Sequence, residues 1–237
     1  MKGGSGFESM LRGLKINKWS NTLPTNLSAV VNGSKLEVSG ASADSSGYVY
    51  IRRYSSSATV EDNGSVGVLV PIKGAELATH HIDASTLTGT GASIYSSSVS
   101  SKARKLTGSA QNDYLTATGY HLTNDRLKGG AGNDTLNGGN GNDRLFGDRG
   151  SDTINGGDGD DFLFGGKGRD ADTFDGGAGD DTIVLTGVRA EYQIDIVNGL
   201  YQISHIGGTR ADGIDRFANI ENLQFKDQTI SESDWGL

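Results

Sequence analysis

The chain of 237 residues contains no cysteine and only two prolines, and hydrophobic residues make up 34% of it. The absence of cysteine excludes a disulfide scaffold, a thiolate metal site and a cysteine nucleophile. No run of about 18 apolar residues occurs, so the sequence predicts no membrane-spanning helix. No apolar segment follows Met1, so the sequence predicts no cleavable signal peptide, although some export routes use other signals.

Acidic residues are concentrated in the middle of the chain. Residues 108–184 hold 14 aspartates, no glutamate, six lysines or arginines, and 19 of the 37 glycines. Residues 1–107 carry a net charge of +4, whereas residues 185–237 carry −4. A total charge of −8 without a basic stripe argues against nucleic acid as a partner.

A repeat of nine residues fills the acidic segment. Four copies run end to end over residues 129–164, and they read GGAGNDTLN, GGNGNDRLF, GDRGSDTIN and GGDGDDFLF. Residues 165–175 repeat the pattern with two extra residues, residues 176–184 close the series, and residues 108–116 and 120–128 are degraded copies. Position eight is always large and apolar, which argues against a flexible acidic linker. The position-eight residues are Leu115, Leu127, Leu136, Leu145, Ile154, Leu163, Phe174 and Ile183.

The spacing of the repeat predicts a coiled backbone of turns and short strands. Glycines at positions one, two and four permit positive φ, so six residues can form a turn whose carbonyls point inward. The three residues around position eight would form a short strand with the apolar side chain inside. Two repeats then make one coil of 18 residues, and neighbouring coils lie about 5 Å apart.

This stacking brings the aspartates of position six close together. Asp143 is predicted to lie near Asp125 and Asp161, and Asp134 near Asp152. Asp170 is predicted to keep register with Asp152, which leaves Ala171 and Asp172 as a bulge. Stacked carboxylates repel one another at neutral pH, and a divalent cation between the turns removes that repulsion. Calcium suits the site better than magnesium, since it accepts six to eight oxygens and mixes carboxylates with carbonyls.

The pattern G-G-x-G-x-D-x-U-x, where U is large and apolar, resembles the nonapeptide of the RTX (repeats-in-toxin) calcium-binding family. The resemblance covers about a third of the chain. It implies a calcium-bound parallel β-roll and export by a type I secretion system, and each ion would take ligands from two neighbouring turns. We expect roughly four to six calcium ions. The degraded copies depart from the pattern, because Gln111 and Thr123 replace the fourth glycine.

The implied ligands are the aspartates of the repeats and the backbone carbonyls of the glycine turns. The carboxylates are Asp113, Asp125, Asp134, Asp143, Asp152, Asp161, Asp170, Asp172 and Asp181. The carbonyls are those of Gly130, Gly132, Gly139, Gly141, Gly150, Gly157, Gly159, Gly166, Gly168, Gly177 and Gly179.

The predicted fold class is all-β, and four segments are distinguished. Residues 1–75 would form a small β-rich, sandwich-like domain, and residues 76–107 a Ser/Thr/Gly-rich β-helical lead-in. Residues 108–184 would form the β-roll, and residues 185–237 a C-terminal β cap that also contains the uncleaved type I secretion signal. Asn198-Gly199 predicts a tight hairpin in this cap. The cap is expected to cover an outward face that carries Phe146, Phe162 and Phe164.

The sequence contains no H-E-x-x-H and no G-x-S-x-G motif, so the protein is expected not to be an enzyme. The first functional hypothesis is a calcium-folded C-terminal region of a type I-exported surface protein, of adhesin or surface-layer type. The second is the calcium-binding part of an exported protease, lipase or polysaccharide epimerase whose catalytic domain is absent. The third is a module that binds surface glycans or peptide through residues 1–107. The expected location is extracellular or at the cell surface.

Overall fold

A computed structural model describes residues 28–32, 35–39, 57–60, 80–85, 93–98, 103–119, 122–208 and 212–236. These residues form 19 short strands and two 3-10 helices of three residues each, at Arg189–Glu191 and Glu232–Asp234. None of the helices in the described ranges has the length or apolarity needed to cross a membrane. The all-β class predicted from the sequence is confirmed.

The strands before and within the repeats are four to six residues long, apart from β14, which has three. They are β1 Ser28–Asn32, β2 Lys35–Ser39, β3 Ser57–Val60, β4 His80–Asp83, β5 Ser93–Ser98, β6 Arg104–Thr107, β7 Tyr114–Gly119, β8 Arg126–Ala131, β9 Thr135–Asn140, β10 Arg144–Arg149, β11 Thr153–Asp158, β12 Phe162–Gly166, β13 Thr173–Ala178 and β14 Thr182–Val184. The strands after the repeats are β15 Tyr192–Val197, β16 Leu200–His205, β17 Ile214–Ala218, β18 Asn222–Gln224 and β19 Thr229–Ser231.

Successive repeat strands alternate between two sheets. The first sheet has the order β1-β2-β3-β4-β6-β8-β10-β12-β14-β18-β19, and the second has the order β15-β16-β17-β13-β11-β9-β7-β5. Within the repeats every pairing is parallel, and Leu145 lies between Leu127 and Leu163. Residues 18 apart are therefore neighbours on adjacent coils, which confirms the predicted parallel β-roll.

The core of the roll consists of two columns of apolar side chains, one from each sheet. Each repeat contributes one residue because only the middle residue of its short strand points inward. The first sheet contributes Leu106, Leu127, Leu145, Leu163, Ile183 and Leu223, all fully buried. The second contributes Ile94, Leu115, Leu136, Ile154, Phe174 and Phe217, which are no more than 2% exposed. Each column extends by one residue beyond the repeats at each end.

The two extra residues in repeat 165–175 lie in the turn and shift the register that the sequence predicted. Thr153 pairs with Thr173, so the aspartate opposite Asp152 is Asp172. The backbone N–H of Asp152 donates to Asp172 Oδ1 at 2.8 Å, whereas Asp170 is exposed. The prediction that Asp170 keeps register was wrong, because an insertion disrupts a flexible turn less than a strand that must place Phe174 in the core.

Strands before the first repeat stack on the roll. In the first sheet β4 lies parallel to β6, which lies parallel to β8, and in the second sheet β5 lies parallel to β7. Of residues 1–75, the structure describes only β1, β2 and β3, and these join the first sheet through β4. The rest of the proposed sandwich-like domain lies outside the described residues.

The C-terminal segment adds another coil to the roll. Phe217 of β17 lies opposite Phe174, and Leu223 of β18 lies opposite Ile183, both in parallel pairing. In the chain between β14 and β17, β15 and β16 form the predicted antiparallel hairpin, which pairs with the outer edge of β17 and has positive φ at Asn198 (55°) and at the following glycine (80°). The coil therefore continues both sheets along the axis.

An aromatic cluster closes the C-terminal end. Trp235 is 3% exposed and meets Tyr201 and Phe217 edge-on, with ring centroids 5.0 and 5.3 Å away. Edge-to-face pairs of this kind add to the stabilisation from burial. The cluster keeps water from the last residues of the apolar columns.

The face with the outward phenylalanines is not covered as predicted. The described C-terminal strands extend the sheets instead of lying over them. Phe146 and Phe164 stack on each other with ring centroids 4.3 Å apart, and the Arg126 guanidinium lies 4.1 Å from the Phe146 ring centroid. The rings thus bury much of their surface against neighbours on adjacent coils.

Candidate metal centre

Position six of the repeats forms two columns of acidic residues, one beside each sheet. The first acidic column consists of Asp125, Asp143, Asp161, Asp181 and Glu221, and Arg104 stands at its head. The second acidic column consists of Asp113, Asp134, Asp152, Asp172 and Asp215. Each residue immediately precedes a strand, except Asp215, which is the second residue of β17, so the regular strand pairing determines its position.

One oxygen of each carboxylate is used to join adjacent coils. The backbone N–H of Asp125 donates to Asp143 Oδ1 at 2.6 Å, and that of Asp143 donates to Asp161 Oδ1 at 2.7 Å. In the second column the N–H of Asp134 donates to Asp152 Oδ1 at 2.8 Å. These bonds form an uninterrupted ladder along each column, and they leave the second carboxylate oxygen for another partner.

That second oxygen has no hydrogen-bond donor among the described residues at five positions. The atoms are Oδ2 of Asp134, Asp143, Asp152, Asp161 and Asp181. The five side chains belong to residues that are no more than 1% exposed. A buried oxygen without a partner is strongly unfavourable, more so when it is charged, so these five atoms require a positive group or a proton.

Backbone carbonyls lie beside these oxygens. A Cβ atom built on Gly138 would press against both Asp143 Oδ2 and, at 2.6 Å, the carbonyl oxygen of Gly156. Gly156 has the same relation to Asp161 Oδ2 and the Gly176 carbonyl oxygen. Glycine at position one thus leaves open a small cradle of oxygens, which any larger residue would fill. The carbonyl ligands predicted from the sequence all belong to glycines at positions two and four, and the carbonyls at position one were missed.

Burial raises the pKa of the column carboxyls, and neighbouring carboxylates raise it further. The pKa values of Asp134 and Asp143 reach about 8, and those of Asp152 and Asp161 reach about 7. Bonds from backbone N–H groups act in the opposite direction but are outweighed. A cation at the cradle reverses this balance, because it favours the ionised carboxylate.

The donor set fits calcium. Among the described residues, no three acidic or imidazole side chains converge on one point, since each coil supplies one carboxylate per column. The further ligands must then be backbone carbonyls, and calcium accepts them readily in a flexible shell. Magnesium requires a stricter octahedron and retains water, so it fits a carbonyl-rich turn less well.

Glycines at positions two and four allow the turns to stack closely. Gly141 has φ of 118°, and a Cβ atom there would clash with the backbone of Thr123 on the previous coil. Of the eleven glycines predicted as carbonyl ligands, ten have positive φ; Gly168, in the repeat with the insertion, is the exception. Positive φ at these glycines turns the backbone as the sequence predicted.

The two degraded repeats satisfy their carboxylates with protein groups. Ser109 donates to Asp113 from both its backbone N–H and its hydroxyl. Arg104 Nη2 lies 2.6 Å from Asp125 Oδ2, and burial raises the Asp125 pKa while Arg104 opposes that shift. The structure thus gives Asp113 and Asp125, both predicted as metal ligands, partners within the chain.

Three residues of the C-terminal coil continue the columns, and the sequence reasoning missed them. Asp215 Oδ1 accepts from the Asp172 N–H at 2.9 Å, and Glu221 Oε2 accepts from the Asp181 N–H at 2.8 Å. The carbonyl of Asn219, which has φ of 51°, lies beside Gly176 where the repeats have a glycine carbonyl. Asp215 and Glu221 each stand two residues before a core residue, a spacing shared with the repeats that could have revealed them.

The repeat segment matches the model of a known protein family. The model of the RTX calcium-binding nonapeptide repeat (4 copies) matches residues 122–154, 138–171 and 168–186. No curated protein matches the chain. Residues 122–186 thus carry RTX repeats, a calcium-binding module typical of type I secreted proteins. The matched residues include the five aspartates whose Oδ2 atom has no donor within the described ranges.

Proposed function

We propose that the chain is a calcium-dependent folding module of an exported protein, in which calcium binding converts an unfolded repeat segment into the β-roll. The observation that carries this proposal is the set of five buried Oδ2 atoms that have no donor in the described part of the chain, repeated from coil to coil beside backbone carbonyls. We propose about five ions, one for each such atom, within the expected range of four to six.

Linkage explains how binding drives folding. An ion that binds only the folded chain stabilises it by about 1.4 kcal/mol when its concentration is ten times Kd, as for about 1 mM calcium and a Kd of about 10⁻⁴ M. Several such sites together match the stability of a typical domain, about 5–15 kcal/mol. Without calcium, buried carboxylates that repel one another oppose the same fold.

Export follows from the same dependence. Free calcium is scarce in the cytosol, so the repeats would remain unfolded and able to pass through a type I secretion channel. Outside the cell, calcium at about millimolar concentration would fold them, since extracellular calcium modules have Kd values in this range. Folding outside the cell would hinder the exported segment from moving back through the channel. The uncleaved signal is proposed to lie in residues 185–237.

We also propose that the module is not catalytic and serves a surface protein of adhesin or surface-layer type. In the C-terminal segment, a cluster of buried polar side chains contains His205, Asp212 and Tyr192, which are 4–7% exposed. Tyr192 donates to Asp212, and the Asp212 N–H donates to His205 Nδ1 at 3.2 Å. Because its members are buried and bond to one another, this cluster supports a structural role.

Circular dichroism tests the folding proposal. The full chain should show a coil spectrum in chelator and a β spectrum in calcium, and magnesium at the same concentration should not restore the β spectrum. Identical spectra in chelator and in calcium would contradict the proposal. Secretion by a cell that carries a type I exporter, compared with a cell that lacks it, tests the export route separately.

A further inference from the structure

Arg104 occupies position six of the coil that precedes the repeats. Lys105 and Leu106 pair with Arg126 and Leu127, so Arg104 stands where the following coil has Asp125. Its backbone N–H donates to Asp125 Oδ1 at 2.5 Å, which is the bond that links each later pair in the column. The first acidic column therefore begins with a basic residue in an acidic position.

The side chain of Arg104 reaches the oxygen that is unpaired on the later coils. Its Nε and Nη2 atoms donate to Asp125 Oδ2 at 3.0 and 2.6 Å. Both residues are only 2% exposed. Oδ2 of Asp143 and of Asp161, in the same column, has no donor among the described residues. A guanidinium thus supplies a positive charge at the first of these positions.

A second substitution at this coil accompanies the arginine. Thr123 stands at position four, where Gly141 and Gly159 stand on the following coils. Its hydroxyl accepts from Arg104 Nη2 at 2.9 Å and donates to Asp125 Oδ2 at 3.1 Å. The hydroxyl therefore fills part of the turn with a polar group that binds both members of the pair. Arg104 and Thr123 together give Asp125 Oδ2 its partners. On the later coils, a cation held also by glycine carbonyls would be the partner of the same atom.

We propose that Arg104 is a built-in cation that takes the place of calcium at Asp125, so that Asp125 binds no metal and this coil joins the lead-in without calcium. The inference rests on the proposed function, since it assumes that the later coils bind calcium. It makes Arg104 a positioning residue that sets the N-terminal limit of the metal sites in the first acidic column. When calcium binds, the later coils would then fold against a coil that is already ordered at this end.

Counting bound calcium in full-length variants tests this assignment. In saturating calcium, Asp125→Asn should bind as many ions as the unchanged chain, whereas the matched variant Asp143→Asn should bind fewer. Native mass spectrometry gives the counts directly. A lower count in Asp125→Asn, equal to that of Asp143→Asn, would overturn the proposal.

Hydrogen exchange in metal-free buffer gives an independent readout if a variant folds poorly. The amides of β6 and β8 in the unchanged chain should exchange at least tenfold more slowly than those of β12. Arg104→Gln should remove this difference, and Arg104→Lys should retain part of it, because it keeps the charge without the two-atom contact. Equal exchange of β8 and β12 in the unchanged chain would overturn the proposal.

The two tests separate this inference from the proposed function. A chain that binds no calcium at all would defeat the proposed function, and the exchange experiment would still decide the role of Arg104. A chain that binds calcium and loses an ion with Asp125→Asn would defeat only the role of Arg104.

Discussion

At the scale of single residues, the two carboxylate oxygens have different roles in Asp134, Asp143, Asp152, Asp161 and Asp181. Oδ1 accepts a backbone N–H from the previous coil, while Oδ2 lies beside a backbone carbonyl. The first role belongs to the fold and the second to the metal. Asparagine at position six keeps the accepting oxygen and removes the charge, so it separates the two roles in an experiment.

The corrected register gives a prediction with its own control. Asp172→Ala should destabilise the calcium-bound protein by about 1–3 kcal/mol, because it leaves the buried backbone N–H of Asp152 without its acceptor, Asp172 Oδ1. Asp170→Ala, two residues away and exposed, should have little effect on stability. Denaturant unfolding of both variants at saturating calcium measures the change. The reverse outcome would restore the register that the sequence spacing predicted.

Position-one glycine provides a second prediction. Gly156→Ala should remove calcium binding at one cradle, because the new methyl group would meet Asp161 Oδ2 and the Gly176 carbonyl oxygen. The control is Gly199→Ala in the hairpin turn, where a Cβ atom meets nothing within 4 Å. That control has φ of 80° and should cost about 1 kcal/mol of stability without changing the ion count. Equal ion counts in the two variants would argue against the cradle.

At the scale of elements, the C-terminal coil stabilises the roll by ending its apolar columns. Phe217 is 2% exposed, lies opposite Phe174 and belongs to the aromatic cluster that closes the end. Without this coil, the last repeat would expose its core residues to water. The coil and the repeats are therefore expected to fold together.

Truncating the buried ring should test this dependence. Phe217→Ala should destabilise the calcium-bound protein by about 3–5 kcal/mol, the usual cost of removing a buried aromatic side chain. Ile196→Ala in the nearby hairpin, where the side chain belongs to a residue 58% exposed, should have little effect. Denaturant unfolding at saturating calcium gives both values. A loss below 1 kcal/mol for Phe217→Ala would show that the coil is dispensable.

At the scale of the whole molecule, the repeat made most of the fold predictable. Position eight gave the core columns and position six gave the acidic columns, since both follow from a period of nine and two repeats per coil. The insertion at Ala171 and Asp172 was misplaced because spacing alone does not show whether a turn or a strand absorbs extra residues. Arg104 was missed because a lone arginine before the repeats carries no periodic signal.

The raised pKa values of the columns predict how the metal-free chain responds to pH. The pKa of Asp143 is about 8 in the fold against 3.8 for the ordinary side chain, so the folded state binds more protons between these values. Stability of the metal-free fold should therefore fall as pH rises from about 4 to about 8. Circular dichroism in metal-free buffer should show more β-structure at pH 5 than at pH 8. The opposite trend would contradict the buried, uncompensated carboxylates.

Calcium binding should show the reverse dependence on pH. Binding requires ionised carboxylates, so the affinity for calcium should decrease below pH 7 and each binding event should release protons. Calorimetric titration in buffers of different ionisation enthalpy measures the protons released. No release at pH 6 would contradict the pKa values of about 7 to 8 for Asp134, Asp143, Asp152 and Asp161.

The most direct measurement is a crystal structure of the full chain grown in about millimolar calcium, with an anomalous difference map to locate the ions. The map should show a calcium peak about 2.3–2.6 Å from Oδ2 of Asp134, Asp143, Asp152, Asp161 and Asp181. The same map should show none at Asp125. Water molecules at the five oxygens in place of calcium would contradict the central claim that metal holds the coils together.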